Sequence, residues 1–215
     1  MSGEIIRGEK VPANPIPERQ YERFKYKLEE VSGKNVERNM MIFYLNVATG
    51  YRLQDIVCLT IGEIKEALDN EEFCIQEQKQ YKSWLKHIKK NPNSRRKPPK
   101  KRKALIKPML KKLLKAYVKG KSKSEYAFKS TTGKDYIKAK SYSNILSRVG
   151  KELGIENISG HSLRKTYATR IYEITRDLEK VRKALGHKSI ETTKQYLGIE
   201  AEVREEAASI ADEKL

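Results

Sequence analysis

The chain has 215 residues, 34% of them charged and 38% hydrophobic, and its 46 Lys and Arg against 28 Asp and Glu give a formal net charge of +18. That length suits one domain with a small appendage and allows a substantial core. No apolar run approaches the length that spans a bilayer, and no signal-peptide pattern follows Met1, so a soluble, cytoplasmic protein is expected.

Residues 1–16 contain Pro12 and Pro15 and no periodic pattern, and read as a flexible arm. The first helix follows in PIPERQYERFKYKLEEVSG, with Pro17 at a first helical position, Gly33 as stop, and Tyr21, Phe24, Leu28 and Val31 as its apolar stripe. NVERNMMIFYLNVATG is a second, more apolar and therefore central helix that ends at Gly50, and RLQDIVCLTIGEI reads as a short helix followed by a turn. Cys58 and Cys74 lie in apolar stretches and read as buried free thiols; no Cys/His spacing resembles a metal site.

EFCIQEQKQ alternates imperfectly and reads as a strand, and KALIKPM as a second strand ended by Pro108. Between them, YKSWLKHIKK allows a short helix with Trp84, Leu85 and Ile88 inward, whereas NPNSRRKPPKKR is broken by Pro92, Pro98 and Pro99. This region carries the charge. Gln78 to Ser124 hold 19 Lys and Arg and no acidic residue, while the rest of the chain holds 27 basic and 28 acidic residues. A one-sign block of this size points to a polyanion, with nucleic acid ahead of a membrane surface because no long amphipathic helix with an apolar face accompanies it.

Four further helices follow: LKKLLKAYVKG; SYSNILSRVGKELGI, with Gly150 as a kink point; SLRKTYATRIYEIT, with Leu163, Tyr167 and Ile171 facing the core; and RDLEKVRKALG, with Gly186 as stop. SIETTKQYLG starts another with Ser189 as N-cap, and the tail EAEVREEAASIADEKL is helix-prone and polar. The expected fold class is mainly α with a small antiparallel β-sheet.

Nine positions separate His187 from Tyr196, or two and a half helical turns, so the two side chains converge only if the chain breaks between them; Gly186 and Ser189 supply that break. Taken alone, His187 is better explained as a cation at a helix C-terminus and Tyr196 as part of the core. In GHSLRKT, His161 and Arg164 share one face at a helix start, either as a capping His and a surface Arg or as partners of an anion. Arg52 follows the helix-breaking Gly50, with Asp55 three residues on, and Lys79 is one lysine among many.

In order and spacing these signals resemble the tyrosine recombinase (phage integrase) family. HSLRKTYATRI and LGHKSIETTKQYL are very close to family wording, and TGYRLQDIVCLT matches the segment of the family's first arginine. The resemblance covers the catalytic domain over residues 17–200, with 80–103 as a basic insertion loop and 201–215 as a C-terminal helical tail that docks on a neighbouring protomer. It implies a site-specific DNA recombinase of integrase or invertase type that cleaves DNA through a 3′-phosphotyrosine intermediate without metal, ATP or other cofactor, on a domain lacking the usual N-terminal core-binding domain. It implies Tyr196 as nucleophile, Arg52 and Arg164 as the phosphate clamp with His187 as a further donor, His161 as general base, and Lys79 (with Lys82 competing) as the proton donor to the leaving oxygen. Asp55 would orient Arg52 or His161 from behind. Double-stranded DNA would lie along Lys82, Lys89, Lys90, Arg95, Arg96, Lys97, Lys100, Lys101, Arg102 and Lys103. A homotetramer on DNA, with accessory DNA-bending proteins allowed for, would carry out strand exchange at the nucleoid. The rival reading is a non-catalytic DNA-binding regulator on the same fold; the six filled catalytic positions oppose it.

Overall fold

The computed structural model describes residues 12–133 and 135–213. After a short 3₁₀ turn at Glu18–Gln20, α1 (Tyr21–Ser32) and α2 (Val36–Thr49) form an antiparallel pair. The predicted stripe of α1 is its buried face: Phe24 and Leu28 are fully inside, Tyr21 and Val31 pack against the same core, and Phe24 and Tyr21 meet Phe43 of α2. α2 is central because Met40, Met41, Ile42, Phe43 and Leu45 are all buried. It ends at Gly50, whose φ of 59° only glycine adopts without strain; a Cβ there would also stand 2.3 Å from the Tyr167 ring. The chain therefore turns sharply and delivers Arg52 to the start of α3 (Leu53–Val57).

α4 (Ile61–Asp69) follows where the sequence reading placed only a turn. Thr60 and Glu63 form a full capping box, each side chain bonding the other's backbone N–H, and Ile61, Ile64, Ala67 and Leu68 go into the core. β1 (Glu72–Ile75) and β2 (Arg102–Leu105) form the two-stranded antiparallel sheet, with Phe73 opposite Ala104 and Cys74 opposite Lys103. β1 is shorter than expected. The extended stretch gives way after Ile75 to α5 (Gln78–Lys90), because the Tyr81, Trp84, Leu85, Ile88 stripe has helical spacing and Asp55 Oδ1 accepts the Gln78 N–H at the helix start. Within the basic insertion of 80–103, the short helix allowed for is therefore the rest of α5, and the irregular part is 91–101, with Arg102 already in β2. Cys58 is half-buried, but Cys74 lies on the open face of the ribbon and is exposed; both are free.

Pro108 does not merely end a strand: it is the first residue of α6 (Pro108–Val118). α7 (Ala139–Glu152) runs on through Gly150, where a Cβ would approach Ile158 to 2.7 Å, so this glycine admits a neighbour rather than a kink. α8 (Ser162–Thr175) packs between α2 and α9 (Leu178–Leu185); α10 (Ile190–Leu197) and α11 (Ile199–Asp212) complete the described chain. Of the expected flexible arm, residues 1–11 lie outside the described residues. The remainder is docked: Ile16 is buried, its N–H bonds Thr166 Oγ1 at 2.8 Å, and the Asn14 N–H donates to Asn157 O at 3.2 Å. A large core is built from the elements before α8 and the start of α8, and a small second one joins Ala168, Val181 and Leu185 with Tyr167, Ile171 and Tyr196. No helix among the described residues is long and apolar enough to cross a membrane.

Candidate active site

The site lies where the C-terminal ends of α2 and α9 converge. Helix C-termini leave carbonyls without intrahelical partners and carry partial negative charge. Two arginines satisfy them. Arg164, in the first turn of α8 and 3% exposed, donates from Nη1 to Gly50 O and from Nη2 to Leu185 O at 2.7 Å. Arg102 donates to Ala184 O at 2.8 Å and Thr49 O at 2.9 Å, and its guanidinium lies 3.7 Å from the Tyr51 ring centre. Arg102 was expected in the DNA-contacting run. It is buried and bonded to two helix-end carbonyls inside the protein, so it is a strut of the site and not a surface contact.

Both arginines, together with Arg52, meet one carboxylate. Glu77 is 2% exposed; its Oε2 stands 2.6 Å from Arg52 Nη1, and its Oε1 3.2 Å from Arg164 Nη1 and 3.5 Å from Arg102 Nε. Gln80 Nε2 also donates to Glu77, at 3.0 Å. Glu77 was not singled out from the sequence, where it is only the last acidic residue before the acid-free block. It takes the place expected of Asp55. Asp55 does not pair with Arg52: it is buried, receives the Gln78 N–H at 2.9 Å, and so holds the start of α5. Burial raises its pKa, against the Gln78 bond. Arg164 is lowered to about 10, first by burial and then by the charge of Arg52.

The break between His187 and Tyr196 is present. Gly186, at φ 66°, ends α9; Ser189 Oγ accepts the Thr192 N–H and opens α10. The two rings consequently meet edge to face, with centres 5.3 Å apart. His187 Nδ1 is 3.1 Å from Thr193 Oγ1, which fixes the ring. The Tyr196 hydroxyl donates to His161 O at 3.5 Å, bringing the start of α8 into the same group. Burial, followed by the charges of Arg164 and Arg52, lowers His187 to about 4, so its imidazole is neutral at pH 7. His161 is also lowered, by desolvation and then by the charges of Lys79, Arg164 and Arg52. Burial pushes Tyr196 up to about 12 even though Arg164 and Arg52 pull it down.

Because folding lowers the His187 pKa, the unfolded chain takes up the proton more readily. The stability tied to neutral His187 is present above the ordinary imidazole value of about 6.5 and is lost as pH falls from there toward about 4. His187→Gln should therefore lose less melting temperature than the parent when pH drops from about 7 to about 4.5; equal falls in the two proteins, by differential scanning fluorimetry, would refute the assignment.

Lys79 lies in the first turn of α5, exposed, and lines one cavity together with Arg52 and His187; the residues lining it do not include Lys82. Lys82, Lys89 and Lys90 are exposed on α5, and Arg95, Arg96, Lys97, Lys100 and Lys101 on the segment after it. Lys103 is exposed and paired with Glu72 at 2.7 Å.

The pattern of the phage integrase family matches residues 15–202. The chain belongs to the phage integrase family. Among family relatives, it is 27% identical over 195 residues to the probable integrase/recombinase YoeC of Bacillus subtilis, covering 90% of this chain and 95% of that protein. It is 29% identical over 183 residues to the tyrosine recombinase XerH of Campylobacter jejuni, covering 83% of this chain but 46% of the relative. Among solved structures, XerH site-specific recombinase bound to a palindromic difH substrate superimposes with a TM-score of 0.63 at 24% identity, over 94% of this chain and 54% of that one. The Tn1549 transposon integrase in complex with a circular intermediate DNA gives 0.62 at 16% identity, over 89% and 63%. The phage integrase chain described here thus spans nearly all of YoeC and about half of the XerH proteins, and its mostly helical fold with a two-stranded sheet is that of tyrosine recombinase catalytic domains. Membership of this family supports site-specific DNA recombination.

Proposed function

We propose that the chain cleaves and rejoins double-stranded DNA through a 3′-phosphotyrosine bond at Tyr196. The observation that carries this reading is the convergence of Tyr196, His187 and the His161 backbone beside Arg164, fixed by helix-end carbonyls, and Arg52, held by Glu77. The phenol oxygen of Tyr196 attacks the phosphorus and the P–O5′ bond breaks. The phenol proton passes to His161, and the leaving 5′-oxygen takes a proton from the Lys79 ammonium. Burial, followed by the charges of Lys79, Arg164 and Arg52, lowers the His161 pKa and so favours the neutral form that can accept a proton. Arg52 and Arg164 hold the non-bridging oxygens, where charge builds in the transition state, and neutral His187 donates a further hydrogen bond. The phosphotyrosine bond conserves the strand energy, so attack by a 5′-hydroxyl reseals the strand without ATP. The exposed lysines and arginines of 82–101 lie along flanking phosphates, and exchange takes place in a tetramer on DNA in which the tail after Tyr196 docks on a neighbour.

The test uses duplexes tiled across the DNA beside the gene, each nicked so that the freed 5′-hydroxyl fragment diffuses away. A covalent protein–DNA adduct mapping to the Tyr196 peptide by mass spectrometry is expected. DNA bound at such a site without adduct would refute the chemistry.

A further inference from the structure

The amphipathic stripe of α5 invites burial, yet the helix has no buried residue, and Tyr81 and Leu85 are each 37% exposed. Trp84, expected inward, is half-buried and faces a cavity of about 480 Å³ between α5 and the turn from α9 to α10. Arg52, Lys79 and His187 line this cavity alongside Trp84, so it opens from the site itself; Arg96, Lys97, Pro99 and Lys188 are among the rest of its wall. Five cations and no acidic residue line it. The indole is held: its N–H donates to Arg96 O at 2.7 Å, and the Tyr81 ring packs on it with centres 5.4 Å apart. A second tie, His87 Nε2 to Ser94 Oγ at 3.1 Å, folds the basic segment back on α5. A fixed aromatic face, a proline and four cations that pair with no carboxylate among the described residues (Lys79, Arg96, Lys97 and Lys188; Arg52 is held by Glu77) complement a planar apolar ring attached to an anion, and the volume falls in the range of small-molecule sites. A base stacked within a duplex presents only its edge and cannot meet an indole face to face.

We propose that this cavity takes one unpaired nucleotide of the substrate DNA, its base on Trp84 and its phosphate among Arg96, Lys97 and Lys188. The proposal rests on the strand-cleavage reading, because Arg52 and His187 at the inner end make it the nucleotide beside the cut. Stacking on an aromatic side chain is tolerant of base identity, so the cavity recognises an unstacked nucleotide rather than a sequence. Drawing a base out of the helix at this position would loosen the duplex next to the exchanging strand.

Trp84 is the one tryptophan of the chain, so its emission reports this cavity alone. The full chain is titrated, at one fixed salt concentration, with a short duplex carrying a single unpaired thymidine and with the same duplex fully paired. The bulged duplex is expected to quench the emission and to bind roughly tenfold more tightly, the scale of one base stacked on an aromatic side chain. Trp84→Ala should abolish the preference and leave paired-duplex affinity within about twofold, while Trp84→Phe keeps most of it. Since no α5 residue is buried, an unchanged melting temperature verifies the fold of each variant. Equal affinity and equal quenching by the two duplexes would overturn the proposal, as would a preference that survives in Trp84→Ala. None of these readings needs cleavage: a bulge preference with no adduct in the nicked-duplex assay sustains the cavity and refutes the recombinase chemistry, and an adduct there without the preference does the reverse.

Discussion

Arg164→Ala is expected to lose cleavage and a large part of the fold together. The side chain is almost wholly buried and ties Gly50, Leu185 and Glu77 into one cluster. Removing it strands two helix-end carbonyls and takes one of three arginine partners from a buried carboxylate. Breaking a buried pair costs on the order of 3–5 kcal/mol, and for a domain of this size each kcal/mol is worth about 2–4 °C, so the melting temperature should fall by roughly 10 °C. Cleavage at a temperature where the variant is folded should fall by about 10²–10³, the usual cost of one transition-state donor. Arg164→Lys separates the two effects. Its charge still neutralises Glu77, but a single ammonium cannot reach two carbonyls in different directions and a phosphate as a planar fork does. Part of the stability should return while cleavage stays depressed. An alanine variant that melts within about 2 °C of the parent would show that the cluster is not what joins α2, α8 and α9.

Glu77→Gln carries the second large effect. The substitution preserves shape and removes the negative charge around which Arg52, Arg102 and Arg164 gather. Three buried or half-buried guanidiniums then repel one another without compensation, and destabilisation of about 3 kcal/mol is expected. The defect should be curable by an added anion. Sulfate that binds the folded variant between its arginines stabilises it by mass action, so the melting temperature of Glu77→Gln should climb with sulfate more steeply than that of the parent, whose site already holds a carboxylate. Parallel responses would mean that Glu77 does not organise the arginines. DNA affinity measured without cleavage should hold or rise in the variant, because the lost charge opposed the phosphate, while cleavage falls as Arg52 and Arg164 lose their alignment. A structural defect alone would weaken both.

The C-terminal half of the site was legible because its geometry is punctuated. Gly186 and Ser189 announce a helix end and a helix start, and those two signals bring His187 and Tyr196 together whatever surrounds them. The same kind of signal stood unused at Thr60 and Glu63, whose spacing marks the start of α4. The strand-to-helix change after Ile75 was hidden for a different reason: alternation in IQEQK is compatible with extension, and it is a side chain from α3, Asp55, that holds the first turn of α5. Arg102 and Glu77 were beyond local reading altogether. An arginine within a basic run and a glutamate at its edge look like surface residues, and they become the middle of the site only because β2, α2 and α9 bring backbone carbonyls and two further arginines around them.

Thr49, Gly50, Ala184 and Leu185 contribute to the arginine cluster only through their carbonyl oxygens. A carbonyl belongs to every amino acid. Point mutation can alter the donors of this cluster but cannot delete its acceptors, short of displacing the helix ends. The side chains at 49, 184 and 185 are thus free to drift with the packing demands of the core while the guanidiniums stay aimed. Holding them this way also means that their rotamer freedom is lost when the chain folds, and not when a phosphate arrives. A lineage carrying this arrangement can change its surface, its basic segment and the DNA it meets while the reactive centre keeps its geometry.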